Sequence, residues 1–397
     1  MVLNLANALA EAAQPAEAEK WLRRVVEVQP SRADARFNLG TLYTGLGRLE
    51  EAAAELQALL QQTPDSADAH NSLGIVLERQ LQWDAAAESY RRALALDANH
   101  VCALNNLGNV MRAQSRFDEA QGYYMRAMQH APAHADGYLN MGLLRVRQDH
   151  REEAHGWFEK ALSADPQCLE AASNIGELHR QVGALPEAVT AYRRALSIES
   201  ENIDVLNALG NLLRTQGQLD EAAACFSRAV RVAPDDANGL INLGILRGQQ
   251  GKYDEACALL RRAVSIDNSS VAAHTRLAEA LKVSGHLEEA KAVYDRVLLL
   301  QPNNVAEWAG LAHVRQHMCD WDGIETLWDK TRQAIREGID TRITPFSALS
   351  IPTTAEEQQA CARAWARQEF GWISDQRTAI VPRTRTQNTP LRLGYLS

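Results

Sequence analysis

The chain has 397 residues, 46% of them apolar, and a formal net charge of −9. This length allows two or three ordinary domains, and the acidic balance argues against nucleic acid as a main partner, because phosphate binding needs a basic surface. No apolar run approaches the roughly 20 residues of a membrane span, and the N-terminus lacks the basic start of a signal peptide. We therefore expect a cytoplasmic protein that makes no membrane contact.

The six cysteines form no CxxC pair and show neither a disulfide nor a zinc spacing. We therefore expect free, buried thiols in a reducing compartment and no metal site. His313 and His317 are an i,i+4 pair, but without a third ligand we interpret them as surface residues.

A period of 34 residues runs through most of the chain. Glycine recurs at this spacing at Gly40, Gly74, Gly108, Gly142, Gly176, Gly210 and Gly244. Alanine recurs twelve positions after these glycines, an aromatic residue often follows four positions later, and proline closes several units. With the glycine placed at position 8, the unit around Gly108, repeat 4, predicts a first helix over about Cys102–Gln114 and a second over about Asp118–His130.

This pattern resembles the tetratricopeptide repeat, a helix–turn–helix unit of 34 residues. The resemblance implies an all-α fold, a right-handed superhelical solenoid of stacked helix pairs, with nine tandem repeats over residues 1–302. The small residues at positions 8 and 20 allow the two helices to approach closely, and the large residue at position 24 fills the space between units. Met1 falls at position 3, inside a helix, so we expect the first repeat to lack its start.

Asparagine recurs at position 6 of the first helix, which this repeat family turns toward the groove. The residues are Asn4, Asn38, Asn106, Asn140, Asn174 and Asn242, and the series is broken by Ser72, Ala208 and Arg276. An amide offers both a donor and an acceptor, which match the backbone of an extended peptide, at roughly 0.5–1.5 kcal/mol per hydrogen bond. The alternative is that each amide bonds a neighbouring helix.

Two other positions carry recurrent charges. Acids stand at position 2 in Asp34, Asp68, Asp136, Glu170 and Asp204, and arginines stand at position 12 in Arg112, Arg180 and Arg214. Acids in a first helical turn suit the helix dipole, but they could also contact basic or hydroxyl side chains of a bound segment. The arginines could line the same groove or be solvated.

The tenth repeat departs from the pattern. Its second helix is predicted from about Trp321 to Glu337, with Trp321 and Trp328 one heptad apart in the core. An irregular connector with Pro345 and Pro352 follows, and then an amphipathic helix that Thr354 caps ahead of Glu357. The chain ends in a basic linker and "TPLRLGYLS", which reads as one β-strand.

The order "MCDWDGIETLWDK", "PFSALS", "TAEEQQACARAWA" and "PLRLGYLS" resembles the junction between repeats and catalytic domain in O-GlcNAc transferase-like proteins. This resemblance implies a degenerate tenth repeat and helical junction over 303–376. It also implies that 377–397 are a linker and the first strand, Leu391–Ser397, of a truncated Rossmann-like glycosyltransferase domain. A UDP-sugar such as UDP-GlcNAc would bind in that missing domain, so no catalytic, cofactor or metal residue is expected in this chain.

The same resemblance implies that the position-6 asparagines hold the backbone of protein or peptide substrates. The predicted polypeptide-binding residues are Asn38, Asn106, Asn140, Asn174 and Asn242. The alternatives are a non-catalytic scaffold for protein–protein interactions, or modification of a dedicated flagellin-like partner. The sequence leaves the acceptor, the sugar and self-association into a homo-oligomer open.

Overall fold

The computed structural model describes residues 14–338, 343, 345–349 and 351–374, without the side chains of 346, 347 and 368–374. The described part consists of helices, which confirms the all-α prediction. The predicted strand Leu391–Ser397 and the linker before it lie outside the described residues, as does Asn4.

Pairs of helices repeat with the period of the sequence. The second helix of repeat 1 is Pro15–Val28. The first helices of repeats 2–10 are Ala33–Gly45, Ala67–Arg79, Val101–Ala113, Ala135–Arg147, Leu169–Gln181, Ile203–Thr215, Ala237–Gln249, Val271–Val283 and Val305–His317. The second helices of repeats 2–9 are Leu49–Gln62, Trp83–Leu96, Phe117–His130, Arg151–Ala164, Leu185–Ile198, Leu219–Val232, Tyr253–Ile266 and Leu287–Leu300. In repeat 4 both helices begin one residue before their predicted start.

The chain divides into two compact units, residues 1–212 and 213–397, with the division inside helix Ile203–Thr215. Within each unit a first helix packs on the second helix of its own repeat and on the second helix of the preceding one. The apolar core therefore lies between adjacent helices, in clusters such as the one around Tyr90, Met111 and Tyr124. The predicted domain boundaries at 302 and 376 stay a prediction.

The position-8 glycines allow the two helices of a repeat to touch. A Cβ atom added to Gly108 would lie 2.4 Å from Cε1 of Tyr124, and one added to Gly142 would lie 2.4 Å from Cε1 of Phe158. Tyr124 and Phe158 are the position-24 aromatic residues of their own repeats, and both are fully buried. The large side chain at position 24 therefore lies directly against the backbone of the first helix.

Local signals set the helix boundaries. Position 34 acts as the N-cap of the next first helix, where the Ser66 hydroxyl accepts a hydrogen bond from the Ala69 N–H at 3.2 Å. Position 15, between the two helices, has a positive φ in repeats 2–10, for example +74° at Gly47 and 62° at Leu81. This left-handed turn reverses the chain within a few residues.

The tenth repeat and the junction correct three predictions. Its second helix is Ile324–Arg336, because Gly323 at φ +67° delays the start, so Trp321 precedes the helix and is 57% exposed. The prediction of Trp321 as core was wrong. A short helix, Pro345–Leu349, interrupts the connector predicted as irregular.

The cap of the last helix, Ala355–Ser374, forms as predicted. The Thr354 hydroxyl accepts from the Glu357 N–H at 3.2 Å, and the Glu357 carboxylate accepts from the Thr354 N–H at 2.8 Å. None of the six cysteines forms a disulfide, but Cys102 and Cys319 are exposed, so the prediction of burial was wrong for these two.

The turn at position 15 gives a stability prediction with a matched control. Gly47 and Gly156 both have open space where a Cβ would be, but only Gly47 has a positive φ. We expect Gly47→Ala to lower the free energy of unfolding by about 1–2 kcal/mol. Gly156→Ala, inside helix Arg151–Ala164, should raise it by roughly 0.5–1 kcal/mol. Urea unfolding followed by circular dichroism measures both, and equal effects would contradict the role given to the turn.

Candidate functional site: the first-helix face

The candidate site is the surface made by positions 2, 5 and 6 of the first helices, called here the first-helix face. Within the first unit, helix Val101–Ala113 contacts the first helices on both sides, Ala67–Arg79 and Ala135–Arg147. Side chains at positions 5 and 6 of neighbouring repeats are thereby brought together, which is the arrangement that a groove for an extended chain requires.

Two predicted residues bridge neighbouring repeats. The Asn106 amide donates to Oδ1 of Asn71 at 3.0 Å, and the Asn140 amide donates to Oδ1 of Asn105 at 3.5 Å. Each bond joins position 6 of one repeat to position 5 of the repeat before. Asn71, Asn105 and Asn140 are all buried, with 5–9% exposure. For Asn140 in particular, the amide stabilises the stacking of repeats.

Asn174 makes a different contact. The preceding repeat carries Leu139 at position 5, which offers no amide. The Asn174 amide instead donates to the Glu170 backbone carbonyl of its own helix, at 2.7 Å. Because this bond lies within one helix, it does not hold two repeats together. Asn174 is half-buried. Asn38 and Asn242 are also half-buried at position 6.

A cavity of about 430 Å³ opens beside Asn174. It lies between the first helices Leu169–Gln181 and Ile203–Thr215, where the pair at positions 5 and 6 is Ser173 and Ala208 instead of two asparagines. Both small residues line the cavity, and Tyr192 forms part of its wall. Loss of the two amide side chains leaves this space open on the first-helix face.

Four of the five position-2 acids fall into two groups, and the fifth, Asp136, is exposed. Asp34 accepts from Arg32 at 3.0 Å, which holds the pKa of its carboxyl below the ordinary value, and Asp68 lies 3.1 Å from His100. Glu170 and Asp204 are exposed and line the cavity beside Asn174. The second pair therefore places carboxylates where a bound chain would pass.

The position-12 arginines differ in their surroundings. Arg180 forms a bidentate ion pair with Glu177 at 2.6 and 2.7 Å, and these hydrogen bonds lower the pKa of the Glu177 carboxyl. Arg112 donates to the Tyr124 hydroxyl at 3.4 Å. Burial lowers the pKa of Arg214. Arg180 is exposed, as the solvated interpretation expects, whereas Arg112 and Arg214 are half-buried.

His313 is half-buried and His317 exposed, and their rings meet edge to face with centroids 4.4 Å apart. Burial lowers the pKa of His313.

Over the described ranges, no group of three or more His, Cys, Asp or Glu residues could hold a metal ion. None of the helices described is both long and apolar enough to cross a lipid bilayer.

Sequence reasoning missed the position-5 partners Asn71 and Asn105 and the small pair Ser173 and Ala208. The available signal is a spacing of 35 residues, one more than the repeat, because position 6 of one unit meets position 5 of the unit before. A search restricted to the 34-residue register compares like positions only and passes over this pairing.

Family models described as tetratricopeptide repeat match residues 3–67, 67–100, 100–167, 139–202, 207–271 and 249–313. The chain therefore belongs to the tetratricopeptide-repeat family. No curated protein matches it significantly. These findings do not extend to the finer resemblance to O-GlcNAc transferase-like proteins, which stays a proposal.

Three solved structures show partial likeness. A Pseudomonas aeruginosa pilF structure is 26% identical and covers 55% of this chain and 97% of its own, with a TM-score of 0.45. A MamA structure is 24% identical and covers 41% and 94%, with a TM-score of 0.37. A second MamA structure is 18% identical and covers 43% and 93%, with a TM-score of 0.40. Likeness of this extent says nothing about what this chain binds.

The two kinds of amide contact predict different effects on stability. Asn140→Ala removes a bond between repeats and leaves the buried Asn105 oxygen unpaired, so the free energy of unfolding should fall by about 1–2 kcal/mol. Asn174→Ala removes an exposed bond within one helix and should change it by less than about 0.5 kcal/mol.

Urea unfolding of the wild type, Asn105→Ala, Asn140→Ala and the double variant Asn105→Ala/Asn140→Ala measures the coupling between the two residues. We expect a coupling of roughly 0.5–1.5 kcal/mol between Asn105 and Asn140. Strict additivity of the two substitutions would contradict the bridging role.

Proposed function

We propose that this tetratricopeptide-repeat chain is a protein-binding scaffold that holds an extended polypeptide along its first-helix face. Proteins of this family generally bind other proteins. The observation that carries the proposal is the cavity beside Asn174. It is open, lies between two first helices, and is lined by both an amide and carboxylates. A groove needs such openings, because a bound chain has to place some of its side chains below the surface.

The asparagines contribute unequally in this proposal. The hydrogen bond to Asn71 uses one of the two N–H donors of the Asn106 amide and leaves its oxygen available to a peptide N–H. Asn174 offers the same groups without a role in stacking. Asn140 is buried at 9% exposure and acts mainly between repeats. Asn38 and Asn242 extend the series within their own units.

A variant that introduces an amide pair beside Asn174 tests the groove. Ser173→Asn/Ala208→Asn copies the pair Asn105 and Asn140, so it should fold normally while closing the cavity. We expect its affinity for an octapeptide selected by the wild-type chain from a random library to fall about tenfold, as a loss of about 1.4 kcal/mol gives. Fluorescence anisotropy with a labelled peptide measures this.

The matched control is Arg92→Ala, on the second helix Trp83–Leu96, where the side chain pairs locally with Glu88 at 3.4 Å. It should bind the peptide as the wild type does. Unchanged affinity of the Ser173→Asn/Ala208→Asn variant, or an equal loss in Arg92→Ala, would place the peptide elsewhere and refute the proposal.

The second candidate function is the substrate-recognition region of a UDP-sugar-dependent protein O-glycosyltransferase of the O-GlcNAc type. Its support is the order of sequence motifs after the repeats, together with the capped helix Ala355–Ser374 where the resemblance expects a junction. In this candidate the UDP-sugar binds a further domain of the parent protein. The repeats would deliver serine- or threonine-containing segments to that domain.

A radiometric transfer assay tests this second candidate. Purified residues 1–397 should transfer no sugar from UDP-GlcNAc to peptides that they bind. The same chain, added in excess to its parent transferase, should compete for those peptides and slow their glycosylation several-fold. Transfer by residues 1–397 alone, or absence of competition, would count against it and leave the scaffold proposal standing.

A further inference from the structure

Repeat 10 buries a carboxyl group at a position that is otherwise small and uncharged. Position 3 of the first helix lies in the interior of the repeat pair. In repeats 2–9 it is held by Ala35, Ala69, Ala103, Gly137, Ala171, Val205, Gly239 and Ala273. In repeat 10 it is Glu307, which is only 5% exposed. Burying an ionised carboxylate is costly unless it is paired, so this departure from the repeat pattern calls for a physical reason.

The contacts of Glu307 within the chain do not neutralise it. The Thr275 hydroxyl donates to its Oε1 at 3.1 Å. On the helix that carries Thr275, Arg276 also lines the cavity and is paired with Glu279 at 2.7 Å. Lys282 of that helix attracts the Glu307 carboxylate electrostatically without forming an ion pair with it. Across the described ranges, no basic side chain forms an ion pair with Glu307. Burial accordingly raises the pKa of the Glu307 carboxyl.

Glu307 lines a cavity of about 880 Å³ within the second unit. The walls come from helix Val271–Val283, from the turn at Pro302 and Asn303, and from the start of helix Val305–His317. In repeat register this is the same place as the cavity beside Asn174, since both lie between positions 1, 2, 5 and 6 of one first helix and the first turn of the next. Here too position 6 of the following helix is small, namely Gly310.

We propose that this cavity binds a lysine side chain of a partner polypeptide, with the lysine ammonium paired to the Glu307 carboxylate. An ammonium is a compact point charge that one carboxylate oxygen can serve. A guanidinium fork prefers both oxygens, and Thr275 already occupies Oε1. The apolar wall, with Val271, Ala272 and Leu300, suits the methylene stem of lysine.

This inference rests on the proposed polypeptide binding, because the cavity lies on the first-helix face. The competing explanation is structural. Glu307 is the third residue of its helix, where an acid favours the helix dipole and can complete a capping box with the N-cap residue, Asn304. Glutamine serves a capping box equally well, so Glu307→Gln removes the charge and keeps the shape.

The test uses two acetylated, amidated octapeptide libraries that contain no other lysine or acid. One has lysine at the fourth position and the other has norleucine. A water-soluble carbodiimide, which joins a carboxylate to an amine without a spacer, is added to the full chain with either library. Peptide mapping by mass spectrometry then locates the crosslinks.

We expect Glu307 to be crosslinked by the lysine library, and Glu307→Gln to bind that library at least about tenfold more weakly than the wild type. Binding of the norleucine library should be unchanged by the substitution. The matched control Glu288→Gln removes an exposed acid from helix Leu287–Leu300 and should leave lysine-library affinity as it is.

Equal affinity of wild type and Glu307→Gln for the lysine library would overturn the inference. So would a lower free energy of unfolding in Glu307→Gln with no change in binding, because that outcome is the structural role alone. If the octapeptide selected for the cavity beside Asn174 still binds, the proposed function survives either result. If the wild-type chain binds no peptide of any kind, both proposals fall.

Discussion

The contact on which the structure depends is a large side chain at position 24 lying directly against the backbone of the first helix of its own repeat. Tyr124 against Gly108 is one example, and any Cβ at that glycine would overlap the ring. In the repeat of Gly40, Leu56 takes the place of the ring. A single repeat cannot bury its apolar face alone, so this contact sets the spacing at which the next repeat must stack. The same spacing turns position 3 inward and leaves positions 2, 5 and 6 on a common face.

On that common face, the pair of residues at positions 5 and 6 either bonds two repeats together or leaves a space for a partner. Two asparagines, as in Asn105 and Asn140, occupy the space and are joined by a hydrogen bond between their side-chain amides. Two small residues, as in Ser173 and Ala208, leave it open. Specificity in such an array can therefore change by substitution at two positions, and the same two positions also contribute to the stacking of repeats. A repeat scaffold thereby gains an open site for a partner where it gives up a hydrogen bond between repeats.

The sequence predicted much of this fold because the same local signals for helices and turns recur in each repeat. Helix limits in repeat 4 came within one residue, and the cap at Thr354 formed with both of its hydrogen bonds. The prediction failed where the chain departs from the repeat pattern, in the tenth repeat. Trp321 was assigned to a helix that Gly323 does not allow to start so early. The amide pairs were missed because they join unlike positions in adjacent repeats, and the cavities were missed because an open space has no residue of its own to mark it.

Repeat 10 shows how a departure from the pattern can be interpreted physically. Position 3 is alanine in five of repeats 2–9. A buried carboxyl group at this position makes the fold less stable than an alanine would, because it is desolvated without an ion pair. Residues that break a local rule without a compensating contact are most often found at functional sites. Glu307 has one neutral hydrogen-bond donor, an adjoining cavity and no ion pair among the described residues, so a cation entering that cavity would supply a direct charge partner. The energetic penalty in the free protein then becomes a source of selectivity, because only a partner with a positive charge at the right place relieves it.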